Sequence, residues 1–144
     1  RFFQNWAYAA PPFALLVLGL YPFIGPTIEL SVFLSLPIYM VHQFEEHDNN
    51  RFAKYLNEMM GKDRRGLVPR DIWIINVVFV WFFLLAVFYL SASNPAWGVV
   101  AAYLLAINGF VHVVWAIKFR TYAIAAFVVI VLLAAIMVLA RRAR

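Results

Sequence analysis

Five stretches of the chain carry almost no charged side chain, and shorter polar segments separate them. They run from about Trp6 to Ile24, Ile28 to Phe44, Ile72 to Leu90, Ala96 to Ile117 and Tyr122 to Ala140. Each is close to the roughly 20 residues that a helix needs to cross a bilayer. Their apolar residues lie all round instead of alternating, which predicts helices and not the strands of a barrel. Helices also satisfy every backbone group within the segment, as lipid demands. Tyr21-Pro22-Phe23-Ile24-Gly25-Pro26 ends the first stretch, and Ser91-Ala92-Ser93-Asn94-Pro95 makes a short turn between the third and fourth. Pro11 and Pro12 interrupt the first stretch, and Pro37 lies inside the second, where loss of a backbone donor predicts a kink. The expected architecture is an all-α integral membrane protein. It is one domain over 1–144, a bundle of about five transmembrane helices (6–24, 28–44, 72–90, 96–117 and 122–140) with a polar loop at 47–71. In that loop Phe52, Tyr55, Leu56 and Met59 recur at helical spacing, which predicts a short interfacial helix closed by Gly61 or Gly66. No internal repeat is visible.

Composition strengthens this picture. The chain is 65% hydrophobic over only 144 residues, more apolar surface than a soluble fold of that size can hide. The net charge of +5 would allow nucleic acid as a partner, but the basic residues cluster between and after the apolar stretches, the orientation signal of membrane proteins. Nucleic acid is therefore discounted, and the lipid bilayer is the expected partner. With five spans, one side carries Arg1, the loop residues Arg51, Lys54, Lys62, Arg64, Arg65 and Arg70, and then Lys118 and Arg120; the other carries Arg141, Arg142 and Arg144. This asymmetry predicts a cytoplasmic amino terminus and a cytoplasmic 47–71 loop, in what reads as a bacterial inner membrane. There is no cysteine, so disulfides and thiolate metal sites are excluded. The first stretch lacks a small-residue cleavage motif, so it is not expected to be a signal peptide.

Candidate chemistry gathers at one depth. On a helix continuing through the end of the second stretch, His42, Glu45 and Glu46 lie at i, i+3 and i+4 on one face, with Asn49 one turn further. His47 points about 140° away. An imidazole and two carboxylates in one turn suit a divalent metal, or a proton-transfer group in which adjacent carboxylates push one affinity for protons upward. The fourth stretch places Asn108 and His112 at i and i+4. Ionisable side chains inside a span are costly and usually face the protein interior. Alternating helix directions bring His42, Glu45 and Glu46, then Asp71 and Asn76, then His112, and then Arg120 and Tyr122 to the same end of the bundle. His42, Glu45, Glu46 and His112 are the expected metal ligands, and Glu45, Glu46 and Asn108 the expected catalytic groups. No standard template applies: a zinc protease of the H-x-x-E-H type needs histidine where Glu46 stands, and di-iron bundles use the reverse order, Glu-x-x-His.

The paired motifs His42-x-x-Glu45-Glu46 and Asn108-x-x-x-His112, separated by an apolar segment, resemble the HXXEE family of small membrane proteins. The resemblance is clearest from about Tyr39 to Tyr122. The family pattern continues with Tyr, Pro and Gly near the next helix start, whereas here Tyr122 is followed by Ala123-Ile124-Ala125. The resemblance implies a membrane bundle with a site at these motifs, and brings no established reaction with it.

Plainer readings stand beside these. Glu45 and Glu46 would also serve as solvated charges paired with Arg51, Lys54 or Arg120. Asn108 and His112 would serve as interhelical hydrogen-bonding groups, as would Asn76. His47 and Glu29 read as solvated surface residues, and Trp6, Trp73, Trp97 and Trp115 as an aromatic belt. Trp81 lies deeper and reads as ordinary helix packing. Two functions from different classes follow. One is a metal-binding or proton-transfer site at the cytoplasmic interface, acting on a lipid-like substrate by hydrolysis or oxidation. The other is a non-catalytic accessory subunit that packs against other membrane subunits of a respiratory or photosynthetic complex. A transporter fits less well, because the polar groups gather at one end and not at the midplane.

Overall fold

The computed structural model describes residues 1–24, 30–60 and 66–119, and every regular element among them is helical. A short helix α1 (Phe2–Asn5) and a 3-10 turn (Trp6–Ala9) lead into α2 (Ala10–Ile24). The next helix, α3 (Leu30–His47), is joined by a 3-10 turn (Asp48–Asn50) to α4 (Arg51–Met60). After the loop, α5 (Pro69–Trp73) passes through a π-helical stretch (Ile74–Trp81) into α6 (Phe82–Ser93), and α7 (Ala96–Phe119) follows. Pro11 and Pro12 fall in the first turn of α2, directly after the 3-10 turn, so they interrupt the regular α-helical pattern while the run Phe2–Phe23 stays helical. Asn94 ends the polar turn as expected, its Oδ1 accepting the Ala96 N–H at 3.0 Å at the start of α7.

Among the described residues, three helical runs are long and apolar enough to cross a membrane: Phe2–Phe23, Pro69–Ser93 and Ala96–Trp115. They correspond to the first, third and fourth predicted spans. The predicted fifth span, 122–140, lies outside the described residues, as do Glu29, Lys62, Arg64, Arg65, Arg120 and Tyr122. The predicted second span is a helix, α3, but its last turn and a half is His42-Gln43-Phe44-Glu45-Glu46-His47, too polar for a lipid-facing helix. Its neighbours supply what lipid does not. Helix α3 packs against α2, α6, α7, α4 and the π-helical stretch, so its polar turn is enclosed by protein.

Small residues allow that enclosure. Ala10 and Ala14 of α2, Ala101 of α7 and Leu36, Tyr39 and Met40 of α3 share one core with Leu84, Val87 and Leu105, and short side chains let helix backbones approach closely. Gly98 makes one such approach, because a Cβ there would run into a methyl of Val32 on α3. Outward faces are apolar in turn, with Leu15, Leu16, Phe79, Phe82, Phe110 and Ile117 all more than half exposed. Surfaces of that kind are at home in lipid.

The short helix predicted in the 47–71 loop forms as α4. Its Ala53 and Phe52 pack with Trp6, Ala7 and Ile72 in a second cluster, which roofs the polar end of α3. The chain reverses between α3 and α4 because Asn49 and Asn50 take left-handed backbone angles, φ 54° and 55°, a region asparagine tolerates better than most residues. Arg51 clamps the reversal, donating to the Glu45 carbonyl at 2.6 Å and pairing with Asp48 at 3.5 Å. From the first helical run, Tyr8 donates to Asp48 at 2.6 Å.

Two substitutions test this packing in detergent-solubilised protein, with unfolding followed by circular dichroism. Gly98→Leu is expected to lower stability by about 1–3 kcal/mol, because the α3–α7 contact has no room for it. Asn49→Val is expected to cost about 1–2 kcal/mol, whereas Asn49→Gly should cost nothing, since only a side chain with a Cβ is strained at positive φ.

Candidate metal centre

One carboxylate and three imidazoles meet at the end of α3. The register of the helix sets this up: relative to His42, Glu46 lies about 40° round and His47 about 140° round, so Glu46 stands between the two histidines. Glu46 Oε2 is 3.6 Å from His42 Nε2 and 3.6 Å from His47 Nε2. Helix α7 supplies the third imidazole. Its inward face runs Ala101, Leu105, Gly109, His112, all buried, and His112 Nε2 stands 3.7 Å from Glu46 Oε1. The His42 and His112 rings meet edge to face, with centroids 4.8 Å apart.

All four groups are buried, none more than 6% exposed. A carboxylate removed from water requires compensation by opposite charge or by hydrogen bonds. Gln43 provides one hydrogen bond, its Nε2 donating to Glu46 Oε2 at 3.2 Å. Among the described residues, the cationic-type partners of Glu46 are all imidazoles. At 3.6–3.7 Å the imidazole nitrogens are beyond hydrogen-bond distance of the carboxylate, and the side chain paired with His42 is Asn108 of α7.

That spacing fits an ion between the groups. Nitrogen and oxygen ligands about 2.1 Å from a tetrahedral metal stand about 3.4 Å from one another. His42, Glu46 and His112 each offer one ligand atom, and these atoms lie within 4.8 Å of one another, so a small inward movement of the rings completes the set. Neutral imidazole plus carboxylate is the donor set of zinc and of first-row transition metals.

The fourth group, His47, is held from behind. Asn76, carried inward on the π-helical stretch, donates from Nδ2 to the Ile72 carbonyl at 3.0 Å and accepts from the Tyr39 hydroxyl at 3.1 Å. A carbonyl only accepts, so the Ile72 contact settles which way the amide faces. Its Nδ2 also stands 3.3 Å from His47 Nε2, which must then present a lone pair and carry its proton on Nδ1. Trp6 and Phe52 pack on the His47 ring, with centroids 5.1 and 5.3 Å away.

Several expectations change on this geometry. His47 is not a solvated surface residue: it is 5% exposed, because Trp6, α4 and the π-helical stretch cover the side of α3 that α7 leaves open. Trp6 is correspondingly buried at 6% and does not belong to an aromatic belt. Glu45 is half-buried and outside the group of three that could hold a metal among the described residues. At i+3 it falls on the opposite side of His42 from Glu46, with its Oε2 buried and without a hydrogen bond; Arg51 binds its backbone carbonyl. Asn49 leaves the helix face because α3 ends at His47, and Asp71 is exposed. Asn108 lies one turn before His112 and lines a cavity of about 250 Å³ together with Tyr39, Glu46, His47 and Asn76. Sequence reasoning missed Gln43 and Tyr39. Both stand within one turn of His42 on a helix already marked as polar, and that spacing was the available signal.

The family described as a protein of unknown function with an HXXEE motif matches residues 33–140, which include most of α3, its polar turn and α7. Neither a curated protein nor a solved structure matches the chain. The matched region contains His42-x-x-Glu45-Glu46 and Asn108-x-x-x-His112 and covers well over half of the sequence, so the chain belongs to the HXXEE family.

Proposed function

We propose that this is an integral membrane protein that binds one divalent metal ion through His42, Glu46 and His112, close to the membrane surface. The observation that carries the reading is the buried carboxylate ringed by imidazoles at ion-binding distances. The two ligand-bearing helices, α3 and α7, pack directly on each other, so folding alone assembles the ligands. Gln43 and the Asn76–His47 pair restrain the shell around them, the role that outer hydrogen bonds play in metal sites. A metal bound there would act as a Lewis acid toward an oxygen of the substrate. The lipid-facing surroundings favour a lipid-like substrate over a freely water-soluble one, and hydrolysis or oxidation are the reaction classes such a site suits. Proton transfer is a second reading, favoured by the position of Glu46 within 3.7 Å of three imidazole nitrogens.

The polar end of α3 is assigned to the cytoplasmic side, on the strength of the basic residues of the 47–71 loop. The absence of cysteine from the sequence makes this easy to test. Lys54→Cys is expected to react with a membrane-impermeant maleimide in inside-out vesicles and not in right-side-out ones; the opposite result reverses the orientation.

Metal content decides between the two chemistries. Elemental mass spectrometry of protein purified in mild detergent should find close to one zinc, manganese, iron or cobalt per chain. His42→Ala, His112→Ala and Glu46→Gln should each reduce that at least tenfold while remaining helical by circular dichroism. Folded, unmodified protein that takes up no metal when offered it would falsify the metal reading and leave proton transfer.

A further inference from the structure

Asn108 of α7 and His42 of α3 are side-chain partners across the contact between those helices. Asn108 stands one turn before His112, so the helix face that brings His112 against Glu46 also brings Asn108 into the group. The Asn108 Oδ1 and both ring nitrogens of His42 are shut off from solvent. A buried N–H and a buried carbonyl oxygen each require a partner, and an amide oxygen only accepts. The hydrogen they share therefore belongs to the imidazole.

A neutral imidazole carries one N–H, so the nitrogen that gives its hydrogen to Asn108 leaves the other with a free lone pair. Nε2 is the nitrogen that faces the carboxylate, 3.6 Å from Glu46 Oε2. The negative charge of Glu46 draws the imidazole hydrogen toward Nε2, which would close that nitrogen to an ion. An acceptor at Nδ1 opposes that pull and keeps the Nε2 lone pair open. Metal-bound histidines commonly give their second ring hydrogen to a carbonyl or carboxylate in this way. The acceptor at Asn108 is neutral, so Glu46 remains the one carboxylate among the three ligand residues, and an ion there keeps more of its positive charge for polarising an oxygen.

We propose that Asn108 is a positioning residue for His42: its carbonyl holds the imidazole hydrogen on Nδ1 and so keeps the Nε2 lone pair turned to the ion position beside Glu46. The consequence for metal rests on the metal reading above, whereas the hydrogen bond does not. Interhelical hydrogen bonding alone would hold α3 to α7 with the hydrogen on either nitrogen.

The tautomer of His42 separates the two roles. The chain has three histidines, so labelling with 15N-histidine gives few signals, and His42→Gln assigns those of His42. Zinc-free full-length protein in dodecyl maltoside at about pH 8, where imidazole is ordinarily neutral, is studied by long-range 1H–15N correlation. Zinc affinity is measured on the same preparations by competition with a chelator. The unmodified protein should carry the His42 hydrogen on Nδ1. Asn108→Leu, similar in size but without an acceptor, should move it to Nε2 and weaken zinc binding by about tenfold or more. Asn108→Asp, which keeps an acceptor, should hold the hydrogen on Nδ1 and bind zinc at least as tightly as the unmodified protein. A His42 hydrogen on Nε2 in the unmodified protein, or Asn108→Leu protein with an unchanged tautomer or an unchanged zinc affinity, overturns the assignment and leaves the metal reading intact where zinc is bound. An Nδ1 hydrogen that Asn108→Leu displaces, in a protein that takes up no zinc when unmodified, removes the metal reading, with the hydrogen bond to Asn108 standing.

Discussion

A carboxylate that gives up water inside a helical bundle has to be surrounded by groups that replace that water, and Glu46 organises the polar end of this protein for that reason. Three imidazoles and one amide approach it from two helices. Because these neighbours come from α3 and α7, the helices must pack closely at the polar end of α3 as well as in the apolar core. The alanines and Gly98 make this contact achievable along the rest of the interface. The same requirement accounts for the central position of α3. A helix ending in two histidines, a glutamine and two glutamates cannot face lipid, so the other helices take the lipid-facing positions.

Two departures from regular α-helix complete the enclosure. Left-handed backbone at Asn49 and Asn50 ends α3 directly after His47 and turns α4 back across the bundle. Without that turn, Asp48 and Asn49 would extend the polar helix into solvent, and His47 would be open to water. The π-helical stretch at Ile74–Trp81 shifts the register of a long apolar helix and carries Asn76 inward, where its amide reaches His47 and Tyr39. Local widenings of this kind recur at functional sites. Here the widened stretch also contributes Ile75, Asn76 and Val80 to the lining of the cavity beside Glu46.

The site therefore has two unlike halves. On the α7 side, His42 and His112 face Glu46 without hydrogen bonds to it, an arrangement suited to an ion. On the other side, His47 is tied through Asn76 to Tyr39 and to the Ile72 carbonyl, an arrangement suited to rigidity. A metal group with one loose and one braced flank can close on an ion while keeping its carboxylate aimed. The loose flank is also the one that carries Asn108, next to the cavity.

Much of this was legible in the sequence, because apolar run length and the spacing of His42, Glu46, Asn108 and His112 are local properties. A helix of about 20 apolar residues has few alternatives in lipid, and an i, i+4 pair shares a face wherever the helix is placed. The first, third and fourth spans, the interfacial helix and the convergence of the two motifs follow from those facts alone. What sequence could not decide is which side of α3 each polar residue would find covered. Glu45 and Glu46 are adjacent in sequence and straddle the His42 face, and only the position of α7 brings Glu46, and not Glu45, against His112. His47 looked exposed because its helical angle points away from His42; Trp6, Phe52 and Asn76, distant in sequence, bury it there. Helical periodicity sets angles about an axis. Burial depends on what stands at each angle, and that is decided by tertiary packing.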